Sequence, residues 1–287
     1  MSVALAPGAE ALPAQEALRS PLPWALLAGA ALVLVWLIAA IGAPLVAPFN
    51  PDQQILTATL QGPSAVHWLG TDNFGRDIFS RIIWGSRIDL LMGGLGMLFP
   101  FMIGTSIGAI SGYYGGWVDT ILMRILDVTM SFPFFVLIIA IVAILGAGLI
   151  SFFIAVALVG WVSYARLVRS QFLFLKKADF ITAARSLGFS NARIIVRHVL
   201  PHAILPAVVF SMSDIVIDIL LGSSLSYLGL GVAPPTPEWG LMIAESQDFI
   251  GSAWWMTVFP GLAIVLLALG FSLLADGAAK WLGVEGQ

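Results

Sequence analysis

Cysteine is absent from all 287 residues, which excludes a disulfide framework, a thiolate metal site and a cysteine nucleophile. Charge is scarce too: Asp, Glu, Lys and Arg form 10% of the chain, where soluble domains carry about a quarter. No G-x-x-x-x-G-K-S/T loop, no H-E-x-x-H and no G-x-S-x-G occurs, so the sequence offers no ATP site, no catalytic residue and no cofactor site. His198 and His202 share i, i+4 spacing, but Pro201 lies between them and no third ligand is near in sequence, so no metal site is expected. The net charge of -3 is too small for its sign to point to a partner, and no nucleic-acid partner is expected.

What remains is oil. Hydrophobic residues make up 59% of the chain and mean hydropathy is +0.98, which predicts an all-α, polytopic membrane protein. Residues 24–47 carry no charge and as a helix would reach about 36 Å, enough to cross a hydrocarbon core of about 30 Å. A secretory signal is the rival reading, but its apolar region would be about 7 to 15 residues behind a more basic start, so an uncleaved anchor is expected. Further spans are expected at 90–110, 121–145, 149–167, 202–231 and 254–275, six transmembrane helices in all. Gly104, Gly108 and Gly112 recur every four residues in and just beyond the second, a pattern that lets another backbone approach closely. Pro133 is expected to kink the third span or to mark its true start.

Residues 1–23, rich in Ala and Pro, are expected to form a cytoplasmic tail, and 281–287 a second one. Residues 48–89 form a polar outer loop in which an amphipathic helix over 74–88 would rest at the interface on Ile78, Ile82 and Ile83. Asp72, Asp77 and Asp89 are expected to offset Arg76, Arg81 and Arg87 there. Residues 90–280 form the core with the other five spans.

Seven of the thirteen Lys and Arg residues lie between Arg166 and Arg197, which places that loop in the cytoplasm by the positive-inside tendency. Within 178–202, Asp179 is expected to cap a helix that Gly188 ends, and Asn191 to cap a second helix with Arg193 and Arg197 at i, i+4. A parity count from this loop puts both termini inside.

The helix, glycine, helix, proline order resembles the cytoplasmic loop of ABC importer permeases, whose motif is E-A-A, three residues, G, nine residues, I-x-L-P. Here it reads Thr182, Ala183, Ala184, Gly188, His198, Leu200 and Pro201, with threonine in place of the glutamate and histidine in place of the isoleucine. Two further stretches resemble the peptide and nickel branch of that family, the dipeptide and oligopeptide C-type permeases. The first, from His67 to Arg81, fits H-x-L-G-T-D-x-x-G-R-D-x-x-S-R and contains Asp72, Arg76 and Asp77. The second, LSYLGLGVAPPTPEWG, contains Pro234, Pro235, Pro237 and Trp239.

The resemblance implies a type I ABC importer permease fold and a bacterial inner-membrane location, with lipid around the spans. It implies four kinds of function for the chain's parts: pairing with a second permease subunit, docking of two ATP-binding subunits, reception of cargo from a solute-binding protein, and coupling through 178–202. The coupling residues it implies are Thr182, Ala183, Ala184, Arg185, Leu187, Gly188, Phe189, Arg193, His198, Leu200 and Pro201. Its cargo would be a di- or oligopeptide, nickel or a glutathione-like solute.

Asp214 and Asp218 stand apart from the motifs. Each costs about 2.5 to 3.5 kcal/mol at the centre of a span, so neither can simply face lipid. With Ser211 they form a stripe on one helix face, readable as a translocation path that attracts cationic groups or as acids bonded to a neighbouring helix. Trp239 suits an interfacial anchor in a stiff outer lip. The rival from another class is a self-sufficient secondary transporter or channel using Asp214 and Asp218 as ion sites, separable by transport with and without ATP. A membrane-bound enzyme lacks any reactive constellation.

Overall fold

The computed structural model describes residues 22–284, so most of the expected amino-terminal tail and the last three residues lie outside it. Those residues are mostly helical, with no strand among them. Five helices are long and apolar enough to cross a membrane: α1 (Trp24–Ile41), α2 (Ile78–Tyr114), α5 (Leu149–Leu175), α7 (Leu205–Tyr227) and α9 (Trp255–Leu282). The pair α3 (Gly116–Met130) and α4 (Phe134–Leu145), which meet at 84°, is together long and apolar enough to make a sixth if the two count as one broken span. Pro133 is the N-cap of α4 and lacks the N–H that would continue the helix, so the expected third span is two helices with an elbow.

The centre of the fold is the parallel pair α2 and α5, whose contacts advance together along both chains. A methyl group on Gly104 would come within 2.3 Å of the Trp161 carbonyl, one on Gly108 within 2.5 Å of the Ala165 carbonyl, and one on Gly112 within 2.5 Å of the Phe172 Cβ. The three-glycine repeat therefore serves a backbone-to-backbone seam, where dispersion replaces the hydrophobic drive that lipid cannot supply. Helix α1 runs antiparallel to α9, Leu26 against Gly277 and Gly29 against Gly270. Helix α7 packs between α2 and α9.

Two ends result. At the basic end lie the start of α1, the ends of α2, α5 and α9, and the short helix α6 (Asp179–Ser186). At the capped end, residues 47–77 and a hairpin containing α8 (Trp239–Glu245) close over the starts of α2 and α9.

The structure corrects three expectations. The amphipathic helix over 74–88 is not formed: Asp77 caps α2 by accepting the Ser80 N–H at 2.8 Å, and the helix runs 37 residues without a break. Ile78, Ile82 and Ile83 are buried, and the first two join Trp239, Met242, Trp255 and Met256 in one cluster, because the two capping segments fold over them. Asp179 is the first residue of α6 rather than its cap, which is Ala178; there its charge complements the helix dipole. Ser190, not Asn191, caps the next helix by accepting the Arg193 N–H, and 194–199 winds as a π-helix. Pro201 has no N–H to return to a carbonyl one turn back, which permits that wider turn.

Candidate functional site: a presented helix, a buried cap and an acid pair between them

Helix α6 is short, yet it is firmly seated. Ile181 and Ala184 point inward and are buried with Tyr113, Phe172, Ile194 and Val199. Its end is a Schellman turn: the Gly188 N–H donates to the Arg185 carbonyl at 2.9 Å and the Phe189 N–H to the Ala184 carbonyl at 3.2 Å. Gly188 has φ of +76°, a region closed to most side chains, with open space where a Cβ would stand. Phe189 folds back onto the cluster of Ile181 and Ala184.

The opposite face of α6 is free. Thr182, Ala183 and Arg185 are exposed, and Leu187 keeps 73% of its surface open. Arg193 is exposed and stacks on the Phe189 ring at 4.3 Å; Arg185 lies over the Tyr113 ring at 5.5 Å. His198 and Leu200 are half-buried and Pro201 is exposed. His198 Nδ1 is 3.2 Å from the Arg193 carbonyl, and the Tyr113 hydroxyl donates to Asn191 Oδ1 at 2.8 Å. A bidentate pair ties α5 to α3 nearby: Arg169 donates to the two Asp119 oxygens at 2.6 and 2.7 Å.

The capped end is built on charges that are hidden. Arg76 and Arg81 are each 1% exposed. Arg76 donates to Asp72 at 2.5 Å and to Glu245 at 2.7 Å; Arg81 donates to the carbonyls of Pro51 and Pro235, both at 3.2 Å, and reaches Glu245 at 3.5 Å. Asp77 bonds His67 Nδ1 at 2.9 Å as well as capping α2. Each cation is thus enclosed by anions and carbonyls, which is the condition for burying it at all.

Trp239, expected as an interfacial anchor, is fully buried instead. Its indole N–H donates to the Ile82 carbonyl at 3.0 Å and its ring meets Trp36 edge-on at 4.9 Å. The reason is the tight path of the hairpin: Gly240 lies against the Ser223 backbone, which draws the neighbouring tryptophan inward. Pro237 is buried with it, whereas Pro234 and Pro235 are exposed. Asp89 does not offset an arginine; it meets Glu238, the N-cap of α8, which accepts from the amides of Gly240 and Leu241 at 2.8 and 2.7 Å. Burial raises the Glu238 carboxyl above its ordinary range, and the amides of Gly240 and Leu241 pull it back down.

Between the ends, Asp214 accepts from the Tyr164 hydroxyl of α5 at 2.7 Å and is half-buried. Asp218 is 1% exposed, one oxygen has no partner, and the carboxyl lies against Gly96. Ser211 is buried and donates to the Val208 carbonyl at 2.7 Å. The stripe therefore faces into the bundle, with Asp214 at its open edge. Among the described residues, no group of three or more His, Cys, Asp or Glu side chains gathers as a metal site.

Glu238, Glu245, Tyr164 and Tyr113 are residues that sequence reasoning missed. Glu245 lies 169 residues from Arg76, and no local pattern joins them.

Comparison with known proteins identifies the scaffold. A family described as "Binding-protein-dependent transport system inner membrane component" matches residues 104–283. The chain is 43% identical over 249 residues to a dipeptide transport system permease protein, DppC, of Alkalihalophilus pseudofirmus, covering 87% of this chain and 82% of that one. It is 48% identical over 217 residues to a glutathione transport system permease protein, GsiD, of Pectobacterium atrosepticum, covering 76% and 72%. A solved chain of the MetNI methionine ABC transporter, in an inward-facing conformation, shares the fold with a TM-score of 0.57 at 18% identity, over 69% of this chain and 94% of that one.

Proposed function

The chain belongs to the binding-protein-dependent transport system inner membrane components, the multi-pass permeases of ABC importers, and from that membership we propose how its two ends divide the work. The basic end and both termini face the cytoplasm of a bacterial cell, and α6 is the surface that seats in a groove of one of two separate ATP-binding subunits. A second, related permease completes the path across the membrane. A solute-binding protein delivers cargo at the capped end. The cargo class is a small peptide, in keeping with relatives named for dipeptide and for glutathione transport.

One observation carries this reading. Helix α6 is anchored by Ile181 and Ala184 while Thr182, Ala183, Arg185 and Leu187 stand free on its other face. A rigid helix with an open face is what a moving groove can push, and the push passes through Tyr113 and Phe172 into α2 and α5. Ser211, Asp214 and Asp218 border the path, with Asp214 as the group that meets the ammonium end of a peptide.

The test is uptake into vesicles holding the permeases, the ATPases and the binding protein. Leu187→Glu abolishes uptake and the stimulation of ATPase activity while the chain stays inserted at normal levels. Unchanged stimulation rejects α6 as the coupling surface. A second reading, transport powered by ions at Asp214 and Asp218, draws on the burial of Asp218 and the half-buried place of Asp214 in an apolar span. It requires uptake without ATP or ATPase subunits, which the coupling reading excludes.

A further inference from the structure

Asp89 and Glu238 are both 0% exposed, on two different elements. Neither forms an ion pair with a cation among the described residues. Their donors are unequally shared. Glu238 takes the N–H groups of Gly240 and Leu241 and, at 3.3 Å, the hydroxyl of Ser223. Asp89 has the Trp239 N–H on one oxygen, long at 3.3 Å, and nothing on the other. The Glu238 carboxyl lies within hydrogen-bonding reach of Asp89.

Two carboxylates at that separation, dry and without a counter-ion, cannot both be ionised. The one with three donors is the better anion. The one with an unpartnered oxygen is the better acid, because a proton there supplies the missing bond. We propose that Asp89 is a carboxylic acid whose O–H donates to the Glu238 carboxylate, and that this single proton is the latch holding the α8 hairpin onto α2.

The surroundings contain nothing else that could fill the role. On α2, Arg81 is engaged with Glu245 and with the Pro51 and Pro235 carbonyls, and Arg87 donates to the Ala40 and Ile41 carbonyls. On α7, the facing groups are the hydroxyls of Ser223 and Ser226, while Asp218 is turned toward Gly96, two turns along α2 from Asp89. On α8, Glu245 is held by Arg76. The charges of α9, Asp276 and Lys280, are at the basic end, and α1 presents Trp36. Loss of the proton to solvent leaves two carboxylates face to face, and the strain falls on Trp239 and the proline turn beside it.

The sign of the pH effect follows. The folded pair holds a proton that the unfolded chain releases at ordinary carboxylate pH, so the latch stabilises at low pH and is lost as pH rises. In the full-length protein in detergent, the thermal midpoint should fall as pH is raised from the ordinary carboxylate range, about pH 4, through neutrality. Asp89→Asn places an amide N–H where the acid O–H was and cannot titrate. It should keep the wild-type midpoint at the acid end and remove most of the fall. The difference infrared spectrum, wild type minus Asp89→Asn, should show at neutral pH a protonated-carboxyl C=O component that belongs to Asp89. An unchanged pH slope, or an unchanged acid band, overturns the proposal. So does an Asp89→Asn chain that fails to fold at any pH, since the amide provides the same bond.

Discussion

Arginine does opposite things at the two ends of this molecule. At the capped end, Arg76 and Arg81 are enclosed by Asp72, Glu245 and backbone carbonyls. At the basic end, Arg185, Arg193 and Arg197 stand in the open, two of them resting on aromatic rings. A charge already bonded inside the protein holds shape; a charge left free sets orientation and offers a surface.

The comparison can be broken most severely at Arg76. Arg76→Ala leaves Glu245 and Asp72 buried without their main cation, a loss of about 3 to 5 kcal/mol, enough to prevent accumulation of folded chain. Membrane yield and monodispersity after extraction measure it. Arg193→Ala at the basic end, by contrast, should leave yield within error.

A smaller effect is expected along the seam that joins the ends. Gly108→Leu forces side-chain atoms into the Ala165 carbonyl and separates α2 from α5, lowering the thermal midpoint and transport together. An unchanged midpoint would show that the seam has slack.

At Gly188 the two roles can be separated. Gly188→Ala puts a side chain into a left-handed turn at a cost of about 1 to 2 kcal/mol, with no clash to add to it. Transport should fall by more than stability does, because the turn orients α6. An equal fall in both would reduce Gly188 to a structural turn. The mildest change is Asp214→Asn, which keeps a polar contact to Tyr164. It should lower uptake of cationic peptides relative to neutral ones and leave the thermal midpoint near wild type.

Local features were legible in the sequence because their causes are local. The glycine triplet announced a close helix contact, Pro133 a break and Gly188 a helix stop, each through the steric or hydrogen-bonding limits of one residue. The capped end was read poorly for the same reason. Its helix begins at Ile78 and buries Ile78, Ile82 and Ile83 only because residues 239–256 return to cover them, and periodicity within 74–88 holds no trace of that. Asp89 was taken for a counter-charge when its true neighbour is another acid 149 residues away in sequence, and Trp239 for a membrane anchor when Gly240 draws it inward. In the acid stripe, the contact with a neighbouring helix was one of two readings the sequence left open, and Tyr164 supplies it.

Helix α2 touches both regions: Tyr113 bonds Asn191 near one tip, and Arg81 reaches Pro235 near the other. Its 37 residues make a strut about 55 Å long, stiffened over its last third by the glycine zipper. A pivot of about five degrees displaces one tip by about 5 Å relative to the other, nearly a full helical turn. No relay of small adjustments is then needed to carry news between distant surfaces, since they are two places on the same beam.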